Sequence, residues 1–138
     1  MYKKKNFLHR LFGKTLSVSR GEKAINARIS AALKDWQNRH GYCRHCRVDD
    51  VAEELGFSRE QLTFYFHTVM KRGFVNWRSE LRMLYAETLL LENPDTPAYA
   101  VGEVVGIPDK SNFRKEFRKF TGLSPSAWRA SRLEKLRH

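Results

Sequence analysis

Apolar residues recur along this chain at helical spacing, three and four residues apart. From Ala24 the apolar positions are Ile25, Ile29, Ala32, Leu33 and Trp36, one stripe of a helix that Gly41 ends. Asp49 and Asp50 then open a short helix over about 48–55, where acids favour the macrodipole, and Gly56 stops it. Ser58 with Gln61 forms a capping-box pattern. It predicts a helix to about Arg72 with Leu62, Tyr65, Phe66 and Val69 inward. A longer helix follows over about 74–92, ended by Asn93-Pro94-Asp95-Thr96-Pro97. A second short helix covers about 98–105 and stops at Gly106. Pro108-Asp109 opens a helix over 110–121, with Phe113, Phe117 and Phe120 on one face. Ser124-Pro125 starts the last, with proline in its first turn. No segment alternates as a strand. The expectation is an all-α chain of about seven helices.

Two parts of this pattern repeat. Val51, Glu53 and Gly56 correspond to Val101, Glu103 and Gly106 fifty residues later. After one inserted residue, Leu62, Phe66, Trp77 and Arg78 correspond to Phe113, Phe117, Trp128 and Arg129. Each copy is a short helix, a glycine turn and a longer helix, the composition of a helix-turn-helix. Close crossing of the two helices needs a small inner residue, Ala52 or Gly102, and the turn needs a glycine able to take positive φ. An apolar residue, Phe57 or Ile107, plugs the corner. The free face of the second helix enters the DNA major groove in motifs of this kind.

Charge sharpens the picture. The 138 residues carry 26 Lys+Arg against 15 Asp+Glu, a formal charge of +11. Residues 1–20 hold six basic groups and no acid, and residues 106–138 hold nine basic and three acidic groups. The stretch between them is nearly neutral, so the excess lies at the two ends. This polarisation points to a polyanionic partner, nucleic acid first and an anionic membrane surface second. No run reaches the ~18 apolar residues of a membrane span, and Phe7-Leu8 after Lys3–Lys5 is too short for a secretory core. The two cysteines suit a reducing, cytoplasmic setting better than a disulfide scaffold.

On these residues the chain resembles the DNA-binding domain of AraC/XylS-type transcription regulators. The resemblance rests on Val105-Gly106-Ile107-Pro108-Asp109-Lys110-Ser111-Asn112-Phe113-Arg114-Lys115-Glu116-Phe117-Arg118-Lys119 and on Gly122-Leu123-Ser124-Pro125-Ser126-Ala127-Trp128-Arg129. Phe74, Trp77, Leu81, Arg82, Ala86 and Leu90 resemble that family's linker helix. It covers about residues 24–130. The family's usual Ile-Ala pair is replaced by Val101-Gly102, its Phe by Ile107, and Lys71 stands where the second copy has Gly122. The resemblance implies two helix-turn-helix subdomains joined by a rigid helix. The corresponding layout is a basic arm (1–22), a first subdomain (23–73), a linker helix (74–93) and a second subdomain with the C-terminal helix (94–138). The linker would span about 28 Å at ~1.5 Å per residue, against about 34 Å between successive major-groove faces.

The expected contacts follow from helix position. Arg59, Glu60, Thr63, Phe64 and His67 occupy the outward face of the first copy, and Lys110, Ser111, Arg114, Lys115 and Arg118 that of the second. Arg and Lys can read guanine, Glu can accept from cytosine, and Phe or the Thr methyl can meet thymine. The bland alternative for each charge is a solvated helix face, and for Phe64 a peripheral core aromatic. Arg78 and Arg129 are candidate phosphate clamps, and Arg82 a structural ion pair with a nearby acid. His40, Cys43, His45 and Cys46 have zinc-like residue types, but the second half of a zinc motif is missing and the loop is crowded.

No nucleophile with its base and orienter appears, nor a phosphate loop, so no enzyme and no cofactor is expected. The reading is a cytoplasmic, sequence-specific double-stranded DNA-binding regulator. It would bind DNA as a monomer, with dimerisation open, would work with RNA polymerase, and would require no membrane contact. Its rivals are a basic helical protein-interaction module and an output fragment of a larger, membrane-attached sensor.

Overall fold

A computed structural model describes residues 19–44 and 47–137. The basic arm before residue 19 lies outside the described residues, as do His45 and Cys46. Among the described residues there are seven α-helices and no strand: α1 Arg20–Asn38, α2 Val48–Leu55, α3 Arg59–Tyr65, α4 Phe74–Glu92, α5 Ala98–Val104, α6 Lys110–Thr121 and α7 Pro125–Arg137. A 3-10 turn, Gly41–Cys43, follows α1, and a π turn, Phe66–Met70, continues α3. No helix among the described residues is long and apolar enough to cross a membrane. The chain divides into two compact units, one from 19–39 with 47–74 and the other from 40–44 with 75–137.

In the first unit α1 starts four residues before the apolar stripe does, with Gly21 inside its first turn. The reason is a reciprocal cap. Ser19 Oγ accepts from the Glu22 amide at 3.1 Å, and Glu22 Oε2 accepts from the Ser19 amide at 3.0 Å. A cap is worth ~1 kcal/mol, which offsets a glycine cost of similar size. Helix α1 buries Ile29, Leu33 and Trp36 and packs on α2 and α3. Val51, Ala52, Leu62, Tyr65, Phe66 and Phe74 are buried too, and the Phe74 ring lies 6.0 Å from Trp36 and 5.7 Å from Phe66.

The second unit has its core among Met83, Ala86 and Leu90 of α4, Val101, Val105 and Ile107 around α5, Phe113 and Phe117 of α6, and Trp128 of α7. Phe117 stands edge-on to Trp128 at 5.7 Å. Residues 40–44 belong to this unit because Arg82 holds them. Its guanidinium donates to the Tyr42 carbonyl at 2.5 Å and to the Arg44 carbonyl at 2.8 Å. The linker helix α4 thus also supplies core and clamp to the second unit.

Two expected core residues are exposed instead. Val69 is 48% and Phe120 42% exposed, and they occupy equivalent positions in the two copies. The first helix of each copy has only 8 or 7 residues, about 10–12 Å at ~1.5 Å per residue. Phe120 lies in the last turn of the twelve-residue α6, and Val69 in the π turn that continues α3.

Candidate nucleic-acid interface

Each copy builds the same corner. After α2, Gly56 takes φ +80° and the Phe57 amide donates to the Ala52 carbonyl at 2.8 Å. After α5, Gly106 takes φ +93° and the Ile107 amide donates to the Gly102 carbonyl, also at 2.8 Å. The next helix is capped in both: Ser58 Oγ accepts from the Gln61 amide at 3.1 Å, and Asp109 Oδ1 from the Asn112 amide at 2.8 Å. The helix-turn-helix repeat read from spacing is therefore present in the backbone.

The inner side of the corner is filled differently. The first copy pairs Ala52 with Leu62, both buried. The second pairs Gly102 with the larger Phe113, and a Cβ on Gly102 would stand 2.7 Å from Phe113 Cγ and 2.8 Å from the Ile107 carbonyl oxygen. The glycine that departs from the family's usual pair thus leaves room for both the Phe113 ring and the Ile107 carbonyl. Gly106 is doubly constrained, by its positive φ and by the Cys43 carbonyl, which a Cβ would overlap.

With Leu62 and Phe66 or Phe113 and Phe117 facing inward, the opposite face of each second helix meets solvent. On α6 that face presents Lys110, Ser111, Arg114, Lys115 and Arg118, all exposed. On the first copy Arg59 and Glu60 are exposed, while Thr63, Phe64 and His67 are half-buried, His67 lying in the π turn. Beside the start of α6 opens a groove lined in part by Tyr99, Lys110, Arg114, Ser124 and Ser126.

The first residue of the second helix in each copy is held from the first turn of the helix before it. Arg59 Nε lies 3.1 Å from Asp49 Oδ1. Lys110 Nζ lies over the Tyr99 ring, 4.1 Å from its centroid. Asp49 and Tyr99 were absent from the sequence-derived set. The repeat could have found them, because the fifty-residue offset that matches Val51 to Val101 also matches Asp49 to Tyr99.

A family model described as a helix-turn-helix domain matches residues 51–131, more than half of the chain. The chain belongs to the AraC-type helix-turn-helix family. The arabinose operon regulatory protein of Salmonella typhimurium is 34% identical over 86 residues, which is 62% of this chain and 30% of that protein. The chain thus spans less than a third of the length of that curated relative. Among solved structures, the C-terminal domain of AraT, a response regulator from Geobacillus stearothermophilus, matches with a TM-score of 0.66 and 25% identity. That match covers 75% of this chain and 84% of that one. The DNA-binding domain of AdpA, solved with a target DNA, has the same fold at a TM-score of 0.65 and 22% identity, over 74% of this chain and 89% of that one.

Within this AraC-type frame Arg129, a candidate phosphate clamp, has a structural task. Its guanidinium donates to the carbonyls of Leu90 at 2.9 Å, Asn93 at 3.2 Å and Thr96 at 2.6 Å. Carbonyls in the last turn of a helix have no intrahelical partner, and Arg129 supplies donors where α4 ends. Its repeat partner Arg78 is half-buried. In the loop after α1, the His40 ring stacks on Tyr85 at 4.1 Å. Cys43 is a half-buried free cysteine whose thiol pKa burial pushes up, against an opposing pull from Arg82.

Proposed function

We propose that the chain acts as a sequence-specific double-stranded DNA-binding domain of a transcription regulator. In this reading α3 and α6 each enter a major-groove segment. The observation that carries it is the exposed face of α6, where Lys110, Arg114, Lys115 and Arg118 present four cations opposite a buried Phe113–Phe117 stripe. Arg114 and Lys115 supply base and phosphate contacts, with Lys110, Ser111 and Arg118 flanking them. On the first copy Glu60, Thr63, Phe64 and His67 discriminate bases. The length of the linker helix suits two recognition helices working from one chain, so a monomer suffices. A regulator of this type works with RNA polymerase in the cytoplasm.

Selection of bound duplexes from fragmented genomic DNA, followed by salt titration on the recovered sequence, tests the reading. Enrichment of a shared sequence is expected, together with log K falling against log salt by about 0.9 per neutralised phosphate. Affinity that hardly changes with salt, and no enrichment, would favour a protein-interaction module instead.

A further inference from the structure

The two restraints at the starts of the recognition helices differ in charge, and the difference assigns a role to a residue outside the groove face. Lys110 is steadied by an aromatic ring. A quadrupole attracts an ammonium without cancelling its charge, so Lys110 still offers a full cation to a phosphate. Arg59 is steadied by a carboxylate, with Arg59 and Asp49 side chains 65% and 51% exposed. The pair is nearly neutral seen from outside, and Glu60 beside it adds a negative charge. As a fold-stabilising ion pair so exposed a contact contributes little. Held against Arg59, the carboxylate instead decides how much of the guanidinium's charge a polyanion meets.

Resting on the DNA-binding reading above, we propose that Asp49 is a specificity-determining residue that holds Arg59 in a compensated state and withholds it from the phosphate backbone. Discrimination is a ratio of affinities. A gain equal on every duplex would leave that ratio unchanged, but an Arg59 released from Asp49 gains more on random DNA, where no base contact fixes α3 and the side chain reaches the nearest phosphate, and so lowers the ratio. Asp49 acts through Arg59 and is a positioning residue.

The test uses the full chain in salt titrations on a selected and a random duplex. Asp49→Asn is expected to steepen the salt slope by about 0.9, to raise affinity for random DNA about three- to tenfold, and to reduce the selected-to-random ratio. Asp49→Glu should keep the wild-type slope. In an Arg59→Ala background, Asp49→Asn should change nothing. The reverse swap, Tyr99→Asp, should make the slope shallower. Thermal melting checks that each variant folds, and Asp50, whose Oδ2 accepts from the Arg47 amide at 2.9 Å, still caps α2 in the Asp49 variants. An unchanged slope in Asp49→Asn overturns the proposal, as does the same gain without Arg59. Wild-type protein without salt-dependent duplex binding would overturn the DNA-binding reading itself, a separate outcome visible before any variant is made.

Discussion

The two helix-turn-helix copies have the same backbone corner and reach it with compensating side chains. Ala52 against Leu62 fills one corner, and Gly102 against Phe113 the other. Asp49 against Arg59 steadies one recognition helix, and Tyr99 against Lys110 the other. Lys71 ends one at φ +56°, and Gly122 ends the other at +88°. What a helix-turn-helix requires is a volume at the crossing, a restraint at the helix start and a left-handed residue at the end. Which residue type meets each requirement is free to vary, and with it the charge the corner shows to a partner. In the proposed reading, compensation of this kind divides attraction and selection between the two copies.

The sharpest way to break the comparison is at the groove faces. Arg114→Ala with Lys115→Ala should weaken binding to specific and random duplexes together by about a hundredfold or more, at ~1–3 kcal/mol per lost contact. Glu60→Ala with Thr63→Ala should instead narrow the gap between them by about 1–3 kcal/mol per lost base contact. Paired titrations at one salt concentration, with circular dichroism as a folding control, decide this. Equal losses in both variants without a change in discrimination would remove the division of labour.

The next effect concerns the α4 terminus. Arg129→Met keeps much of the aliphatic stem and removes donors from three carbonyls, with an expected loss of ~1.5–3 kcal/mol in urea unfolding. A loss of affinity with unchanged stability would return Arg129 to the phosphate contacts.

Volume compensation is testable on a similar scale. Gly102→Ala should destabilise by ~1–3 kcal/mol through overpacking against Phe113, although alanine is the better helix former by ~1 kcal/mol. Adding Phe113→Leu rebuilds the small-large balance of the first copy and should recover part of the loss. A double variant less stable than Gly102→Ala alone would show that the two positions do not compensate.

The smallest expected effect is at the end of the first recognition helix. Lys71→Gly removes a Cβ from a left-handed backbone and should raise stability by about 0.5–1 kcal/mol in thermal melting. The same substitution pattern in reverse, Gly122→Lys, should lower it.

Much of this was legible along the chain because its causes are local. Ser58 with Gln61, Gly56, Gly106, Gly122 and Ser124-Pro125 mark helix ends through bonds and dihedrals that span a few residues. The α2, α4 and α6 bounds match the reading for that reason. The inward pairs Leu62–Phe66 and Phe113–Phe117 followed from the 3.6-residue period, and the repeat itself revealed two corners. Other assignments depended on partners far along the chain. The Leu90, Asn93 and Thr96 carbonyls that engage Arg129 lie 39, 36 and 33 residues away from it. Arg82 engages carbonyls 40 and 38 residues away, and neither acceptor set has a side-chain signature. A carbonyl is present at every residue, so sequence records no preference for the one that will be left unpaired near a guanidinium. Exposure of Val69 and Phe120 likewise is decided by packing, not by the helical period that places them on the inward stripe. Period and caps set which helices form and which face they bury. Only the packed fold decided which arginines remain free for a partner, because hydrogen-bond acceptors and neighbouring charges are allotted in space.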